Sequence, residues 1–395
     1  MLDKLASPKH TAATRRDSVY PYYAGFSDEF VESVLKTIGN EGAILDPWNG
    51  SGTTTAVCAR LGIPSYGVDI NPAMKPIAAT RSASPPDVKR ACATAKAVIG
   101  SIEPDLVRDA SVFELCSILL DRSKTSADTE LHDILRFGFM TSCRRLSKQS
   151  RSKNPTWFAT DRLEALKLPL DEILRICDAS FTALAAWKAK DSEPSIFCPP
   201  NLVTADWTST EWNQNVSHVI TSPPYLTRID YVMKTLPELL LLREETGIDL
   251  DALRKNMLGS VLTGPVPTPE LPLKSLTART AIEKIRRHPS KASSTYYFRF
   301  FHSYFRNLEK SIFKIATSFK NLNTATIVTQ GSYYKEIFID VPNIIDELFD
   351  SCGYSCRHRS SFRAKHNIIT VNKRSIASNL PPVLEVSSTY ERRSK

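Results

Sequence analysis

The chain has no run of about 18 consecutive apolar residues, so no membrane-crossing helix is expected. Its opening segment, MLDKLASPKHTAATRRDSVY, lacks the apolar stretch of a secretory signal, and a cytoplasmic protein is expected. A regular cysteine framework is missing too. The eight cysteines stand at 58, 92, 116, 143, 177, 198, 352 and 356, mostly in apolar, helix-like contexts, which predicts reduced and buried thiols. The one cluster joins Cys352, Cys356 and His358, with His366 further on. Its spacing is loose and GYSC reads as the start of a strand, so no metal is expected there. Nor is there an acidic excess. Lys and Arg outnumber Asp and Glu by 51 to 42, and the net +9 favours a polyanionic partner without establishing one.

What is present is mixed α/β patterning. SDEFVESVLKTIG (27–39) has helical period, with Ser27 or Asp28 as N-cap and Gly39 as the stop. GAILDPWNGSGTTTAVCARLG then reads as a strand over 43–45, a Gly-rich turn, and a helix from Thr53 to Arg60 that closes at Gly62. PSYGVDINP is a second strand ending on Asp69. Strand, turn, helix and strand within about 30 residues make a βαβ unit and predict a parallel sheet. Residues 82–200 are helical in period, and strand pattern resumes at NLVTADW (201–207) and HVI (218–220). DYVMKTLPELLLLREETG is helical, and the aromatic-rich stretch from Ser294 to Phe319 reads as a long amphipathic core helix. TATIVTQG, VPNIIDELFDSCG and HNIITVN give strand, helix, strand. The Pro-, Thr-, Lys- and Arg-rich segment 255–295 reads as irregular, and the last twenty residues as a frayed polar tail.

Two short motifs carry the chemistry. In DPWNGSGTT, Gly50 and Gly52 allow a tight turn and close approach of a ligand to the backbone, and the helix start at Thr53 and Thr54 offers N–H and hydroxyl donors. No Gly-Lys-Ser/Thr follows, which excludes a phosphate-binding P-loop. Asp69 ends the second strand at the distance where a carboxylate receives a ribose diol, so the pair points to an adenosine-type ligand. The second motif is Ser222-Pro223-Pro224-Tyr225. Two prolines donate no backbone hydrogen bonds, so they end the preceding strand abruptly and rigidly.

Together these motifs resemble the AdoMet-dependent amino-methyltransferases that modify DNA. The resemblance covers about 43–75 and 201–245, and more loosely 295–372. It implies an α/β, Rossmann-like methyltransferase sheet, and leaves unexplained the mainly helical insertion that the period of 82–200 predicts. Residues 19–81 would form the cofactor-binding part, 82–200 the insertion and a DNA-recognition candidate, 201–375 the catalytic part including 255–295, and 376–395 the tail. The cofactor S-adenosyl-L-methionine would lie against Asp46, Pro47, Gly50, Ser51, Gly52, Thr53, Thr54 and Asp69. Asp206 of TADW would contact its adenine, with Tyr20 and Phe26 of VYPYYAGFSDEFV flanking it. Ser222, Pro223, Pro224 and Tyr225 match the catalytic motif.

That motif has a physical reading on this reaction. An exocyclic base amine is a poor nucleophile because its lone pair is delocalised into the ring, and the base must leave the duplex to be reached. The Ser222 hydroxyl and the Pro223 carbonyl can accept its N–H bonds and favour a pyramidal nitrogen, while Tyr225 offers a stacking surface. In the family, Ser at the first position goes with cytosine N4, and Asp or Asn more often with adenine N6. The expectation is therefore a cytosine-N4 methyltransferase acting on double-stranded DNA, in restriction-modification or a related defence system. N6-adenine methylation, RNA methylation and a non-catalytic nucleic-acid-binding role remain the alternatives. No nuclease constellation is seen, so any cognate restriction endonuclease would be a separate chain. For DNA contact the candidates are Arg144, Arg145, Arg151 and Lys153 in the insertion, near Trp157, and Arg286 and Arg287 in RTAIEKIRRHPSK.

Overall fold

The computed structural model of the protein describes residues 5–8, 20, 25–39, 41–104, 109–124, 131–150, 158–191, 196–265, 272–363 and 380–393. Arg151, Lys153, Trp157, His366 and the expected strand HNIITVN lie outside the described residues.

The frame is a seven-stranded sheet. Its strands in chain order are β1 (Ile44–Asp46), β2 (Ser65–Asp69), β3 (Asn201–Thr204), β4 (His218–Thr221) and β5 (Thr324–Gln330), followed after a small separate hairpin, β6 (Ser332–Tyr334) and β7 (Ile337–Ile339), by β8 (Tyr354–Arg363) and β9 (Leu384–Arg392). In space the order is β3-β2-β1-β4-β5-β9-β8. The first five run parallel, and β9 runs antiparallel to both β5 and β8. The carboxyl ends of β1 to β5 therefore share one edge, which is where an open α/β sheet places its ligand crevice.

β1 and β4 are buried along their whole length, as central strands covered on both faces must be. Helix Asp28–Ile38, capped by the Ser27 hydroxyl on the Phe30 N–H, buries Phe30, Val31, Val34 and Leu35 against one face. The aromatic helix Phe298–Ser318 and helix Val341–Ser351 cover the other.

Between β2 and β3 the helices Pro85–Gly100, Val112–Ser123, His132–Leu146, Thr160–Glu164 and Leu170–Lys188 form a bundle. Their core is continuous with Met74 and Ile77 of helix Met74–Ser82 and with Leu239 to Leu242 of helix Leu236–Thr246. The first two turns of helix Leu236–Thr246 are mostly leucine because they are buried against the bundle. Its fully buried Glu238 receives Arg144 in a two-pronged ion pair, and the same guanidinium lies over the Tyr20 and Phe158 rings. The charge of Arg144, a DNA-contact candidate in the sequence, is here committed to a carboxylate that would otherwise be buried without compensation. Arg145 is half-buried and donates to the Ser180 hydroxyl.

Two expectations about the fold are corrected. The frayed tail is β9, which is held on both sides by β5 and β8 and buries Ser387, Ser388 and Thr389. Within 255–295, residues Leu276–Arg287 form a regular amphipathic helix capped by Ser275, with Ala278, Ala281, Ile282 and Ile285 inward. Arg286 and Arg287 occupy its last turn, Arg286 over the Phe298 ring and Arg287 paired with Glu283 and largely exposed.

Candidate active site

At the carboxyl edge of the sheet lies a cleft with a cavity volume of about 350 Å³. The turn after β1 forms one wall. Gly50 and Gly52 both take positive φ, at 49° and 78°, and Gly52 starts helix Thr53–Arg60 with no side-chain cap. The first N–H groups of that helix are therefore left for a ligand. A Cβ on Gly52 would come within 2.5 Å of the Ala78 Cβ, so the glycine is required by packing as well as by φ. Gly52→Ala is expected to lower stability by about 1–3 kcal/mol. A thermal unfolding midpoint equal to that of the unaltered protein would contradict this.

Asp46, at the end of β1, accepts from the Thr54 hydroxyl at 2.8 Å, the Thr221 hydroxyl at 2.5 Å and the Trp48 N–H at 3.1 Å. It thus ties the glycine turn to the residue just before Ser222. Burial outweighs these bonds and pushes its pKa up to about 6. Asp69, at the end of β2, accepts the Gly50 N–H at 2.9 Å and the Asn71 N–H at 2.8 Å. Its pKa is likewise pushed up to about 6, mainly by burial. Each carboxylate oxygen of Asp69 has a second lone pair beyond these bonds, which suits it to a diol.

Asp206, just past β3, has its carboxylate fixed by the Thr208 N–H and hydroxyl at 2.9–3.0 Å and also lines the cleft. Beside it Trp207 is stacked on Phe319 and lies under the Lys314 amino group. Its indole Nε1 is buried with no hydrogen-bond partner among the described residues. Phe26, Pro47, Ser51 and Thr53 line the cleft, whereas Tyr20, Gly52 and Thr54 do not. Tyr20 instead packs on Phe137, and Arg144 bonds its hydroxyl at 3.2 Å.

The catalytic-motif loop forms the opposite wall and is pinned residue by residue. The Ser222 hydroxyl donates to the Val328 carbonyl at 3.0 Å. The Pro224 carbonyl accepts from the Tyr304 hydroxyl at 2.9 Å, leaving this contact away from the Pro223 carbonyl. The Tyr225 hydroxyl donates to Glu385 of β9 at 2.5 Å, and burial and that carboxylate raise its pKa well above the ordinary value. Ser332 holds the Leu226 carbonyl at 2.8 Å. Asp230 caps the short helix Tyr231–Lys234 through the Met233 N–H and pairs with Arg254.

Several site residues carry no signal in the sequence. Arg81 of helix Met74–Ser82 bonds the Thr53 hydroxyl at 2.8 Å and pairs with Asp28, so it puts positive charge behind the open helix start. Glu385 and Tyr304 reach the motif from 160 and 80 positions away. Asn71, Thr235, Asn256, Met257 and Lys310 also line the cleft. The periodic placement of Tyr304 on its helix could have flagged it as inward-facing, but nothing local marks its partner.

Residues 8–80 match the family described as DNA methylase, N6_N4_Mtase. Two curated proteins are similar over short stretches. The Type II methyltransferase M.MjaII of Methanocaldococcus jannaschii is 46% identical over 55 residues, 14% of this chain and 10% of that protein. The Type II methyltransferase M.BsoBI of Geobacillus stearothermophilus is 47% identical over 53 residues, 13% of this chain and 10% of that protein. The matched stretch thus spans about a tenth of the length of each curated relative. A solved rRNA methyltransferase, aviRa from Streptomyces viridochromogenes, superposes with a TM-score of 0.31 at 10% identity over 97% of this chain and 96% of that one, too loosely to carry an argument.

Proposed function

We propose, from the premise that the chain belongs to the N4/N6 DNA amino-methyltransferase family, that it methylates the exocyclic N4 of a flipped-out cytosine in double-stranded DNA. The observation that carries the reading is the state of Ser222. Its hydroxyl proton is spent on the Val328 carbonyl, so its remaining lone pairs serve only as acceptors, in the cleft that also holds Asp69. An amine N–H directed at such an oxygen has its nitrogen lone pair turned away from the ring plane.

The residues fit the cofactor that the family and fold imply. The uncapped helix start at Thr53, with Arg81 behind it, suits the carboxylate end of S-adenosyl-L-methionine. Asp69 suits its ribose hydroxyls, and Asp206 and Trp207 bound the region left for its adenine. When bound it supplies an electrophilic methyl group. The protein's part is to hold the amine acceptors rigid, to offer the Tyr225 ring as a stacking surface, and to keep the site at the sheet edge ordered through Asp46. Ser222 is short and neutral and would accept either exocyclic amine, so the cytosine assignment rests on the family's association of Ser with N4. The Type II names of the two relatives support a role in restriction-modification or a related defence system, with any endonuclease on another chain.

Digestion of DNA treated with the protein and isotope-labelled S-adenosyl-L-methionine, followed by mass spectrometry of the nucleosides, tests the base. N4-methylcytosine is expected. Labelled N6-methyladenine would reverse the assignment and keep the chemistry.

A further inference from the structure

Three residues after the catalytic tyrosine, Arg228 holds a left-handed backbone conformation, φ 55°, that an arginine adopts only when its surroundings enforce it. Its contacts are aromatic rather than acidic. The guanidinium lies 5.5 Å from the Tyr296 ring centre and 5.0 Å from that of Tyr297, and it donates to the Tyr297 hydroxyl at 3.3 Å. Both tyrosines sit on a π-helical turn, Ser293–Tyr297, entered through Ala292 at φ 65°. Wide turns of this kind, here leading directly into helix Phe298–Ser318, occur frequently at functional sites. Arg299, three residues after Tyr296, has its Nε buried with no hydrogen-bond partner among the described residues.

The charge around this cluster is one-sided. Residues 276–299 contain six Lys or Arg against one Glu, in a chain whose whole excess is +9. Lys284, Arg287 and Lys291 there are exposed. The cluster is tied to the cleft through the chain: Arg228 stands three residues after Tyr225, which lines the cleft, and Tyr304 of the helix that follows Tyr297 bonds the Pro224 carbonyl.

We propose that Arg228, Tyr296 and Tyr297 form a rim site that holds the nucleotide next to the extruded one, its phosphate on Arg228 and its unstacked base against the tyrosines. An arginine stacked on rings keeps most of its N–H fork for a phosphate. Tyrosine faces receive unpaired bases without regard to sequence. The +5 balance of the flanking segment supplies the attraction that brings a polyanion there. The proposal rests on the methyltransferase reading for what enters the cleft, but the rim itself is tested by binding alone.

The test is fluorescence anisotropy on two labelled duplexes, one fully paired and one mismatched at a single cytosine, across a salt series. Arg228→Gly suits the left-handed backbone, so the variant keeps its fold while losing the side chain. It is expected to bind both duplexes roughly 10-fold more weakly, with the slope of log affinity against log salt shallower by about one. Tyr296→Leu with Tyr297→Leu is expected to remove the preference for the mismatched duplex, with the salt slope kept. Cofactor affinity by calorimetry should be unchanged in both. An Arg228→Gly variant with unaltered affinity and slope, or an unaltered protein that binds neither duplex, overturns the proposal. Loss of binding in the variant where the unaltered protein transfers no methyl group would support the rim site and count against the methyltransferase reading.

Discussion

Ser222→Ala is expected to lower the turnover number by about 10²–10³-fold, the range seen when one hydrogen-bonding group aimed at a reacting centre is removed. Cofactor affinity should stay within about 2-fold of the unaltered protein, since the Ser222 hydroxyl is bonded to the Val328 carbonyl. The loss falls on turnover because the acceptor contributes most where the amine is becoming pyramidal. The loop should keep its shape, for Tyr304 on Pro224, Glu385 on Tyr225 and Ser332 on Leu226 still fix it. Single-turnover kinetics beside calorimetric cofactor titration separate the two quantities. A variant that turns over at the original rate would remove Ser222 from the chemistry. A variant that loses cofactor affinity in proportion would make Ser222 part of the binding wall instead.

Asp69→Ala is expected to weaken cofactor binding by roughly 10²-fold, because it removes a carboxylate that accepts two hydroxyl hydrogen bonds in a half-buried site. The unaltered protein should show the same dependence through pH. Asp69 titrates near pH 6 in the ligand-free fold, and accepting two hydroxyls favours its ionised form. Binding therefore releases a proton below about pH 6, and affinity falls as pH drops through that value while staying level above it. Folding stability has the opposite sign. A carboxyl raised from 3.8 to about 6 in the fold binds more protons folded than unfolded between those values, so Asp46 and Asp69 each lower stability as pH rises from about 4 to about 6. Calorimetric titration between pH 5 and pH 8, in two buffers of different ionisation enthalpy, measures both the affinity and the proton released. Affinity that is level throughout, with no proton released, would mean that Asp69 does not receive the hydroxyls.

The local part of the site was legible because its parts are neighbours in the chain. Asp46, the glycine turn and Asp69 lie within one βαβ unit, where strand ends and helix start follow from pattern alone. Ser222 to Tyr225 could be read because two prolines can only end a strand. The supporting contacts could not, since they depend on sheet order. Glu385 reaches Tyr225 because β9 lies beside β5, and β9 itself was hidden by a composition of Ser, Thr and Glu that reads as a tail. Those small polar residues are buried by position between two strands, not by hydrophobicity; the Thr389 hydroxyl pairs with Thr326. The partner of Arg144 was illegible for a related reason. A basic cluster looks like a surface until its partner is known, and Glu238 stands 94 residues away in an apolar helix. In 276–287 the density of Lys and Arg masked an inward stripe at Ala278, Ala281, Ile282 and Ile285.

The measurement that bears most directly on the central claim is label transfer from isotope-labelled S-adenosyl-L-methionine to duplex DNA, run with the unaltered protein and with Ser222→Ala. Label in the DNA from the unaltered protein, reduced by about 10²-fold or more in the variant, is the predicted result. No label in DNA from a protein that binds both the cofactor and the duplex would contradict the account, and would leave a nucleic-acid-binding protein built on a methyltransferase fold.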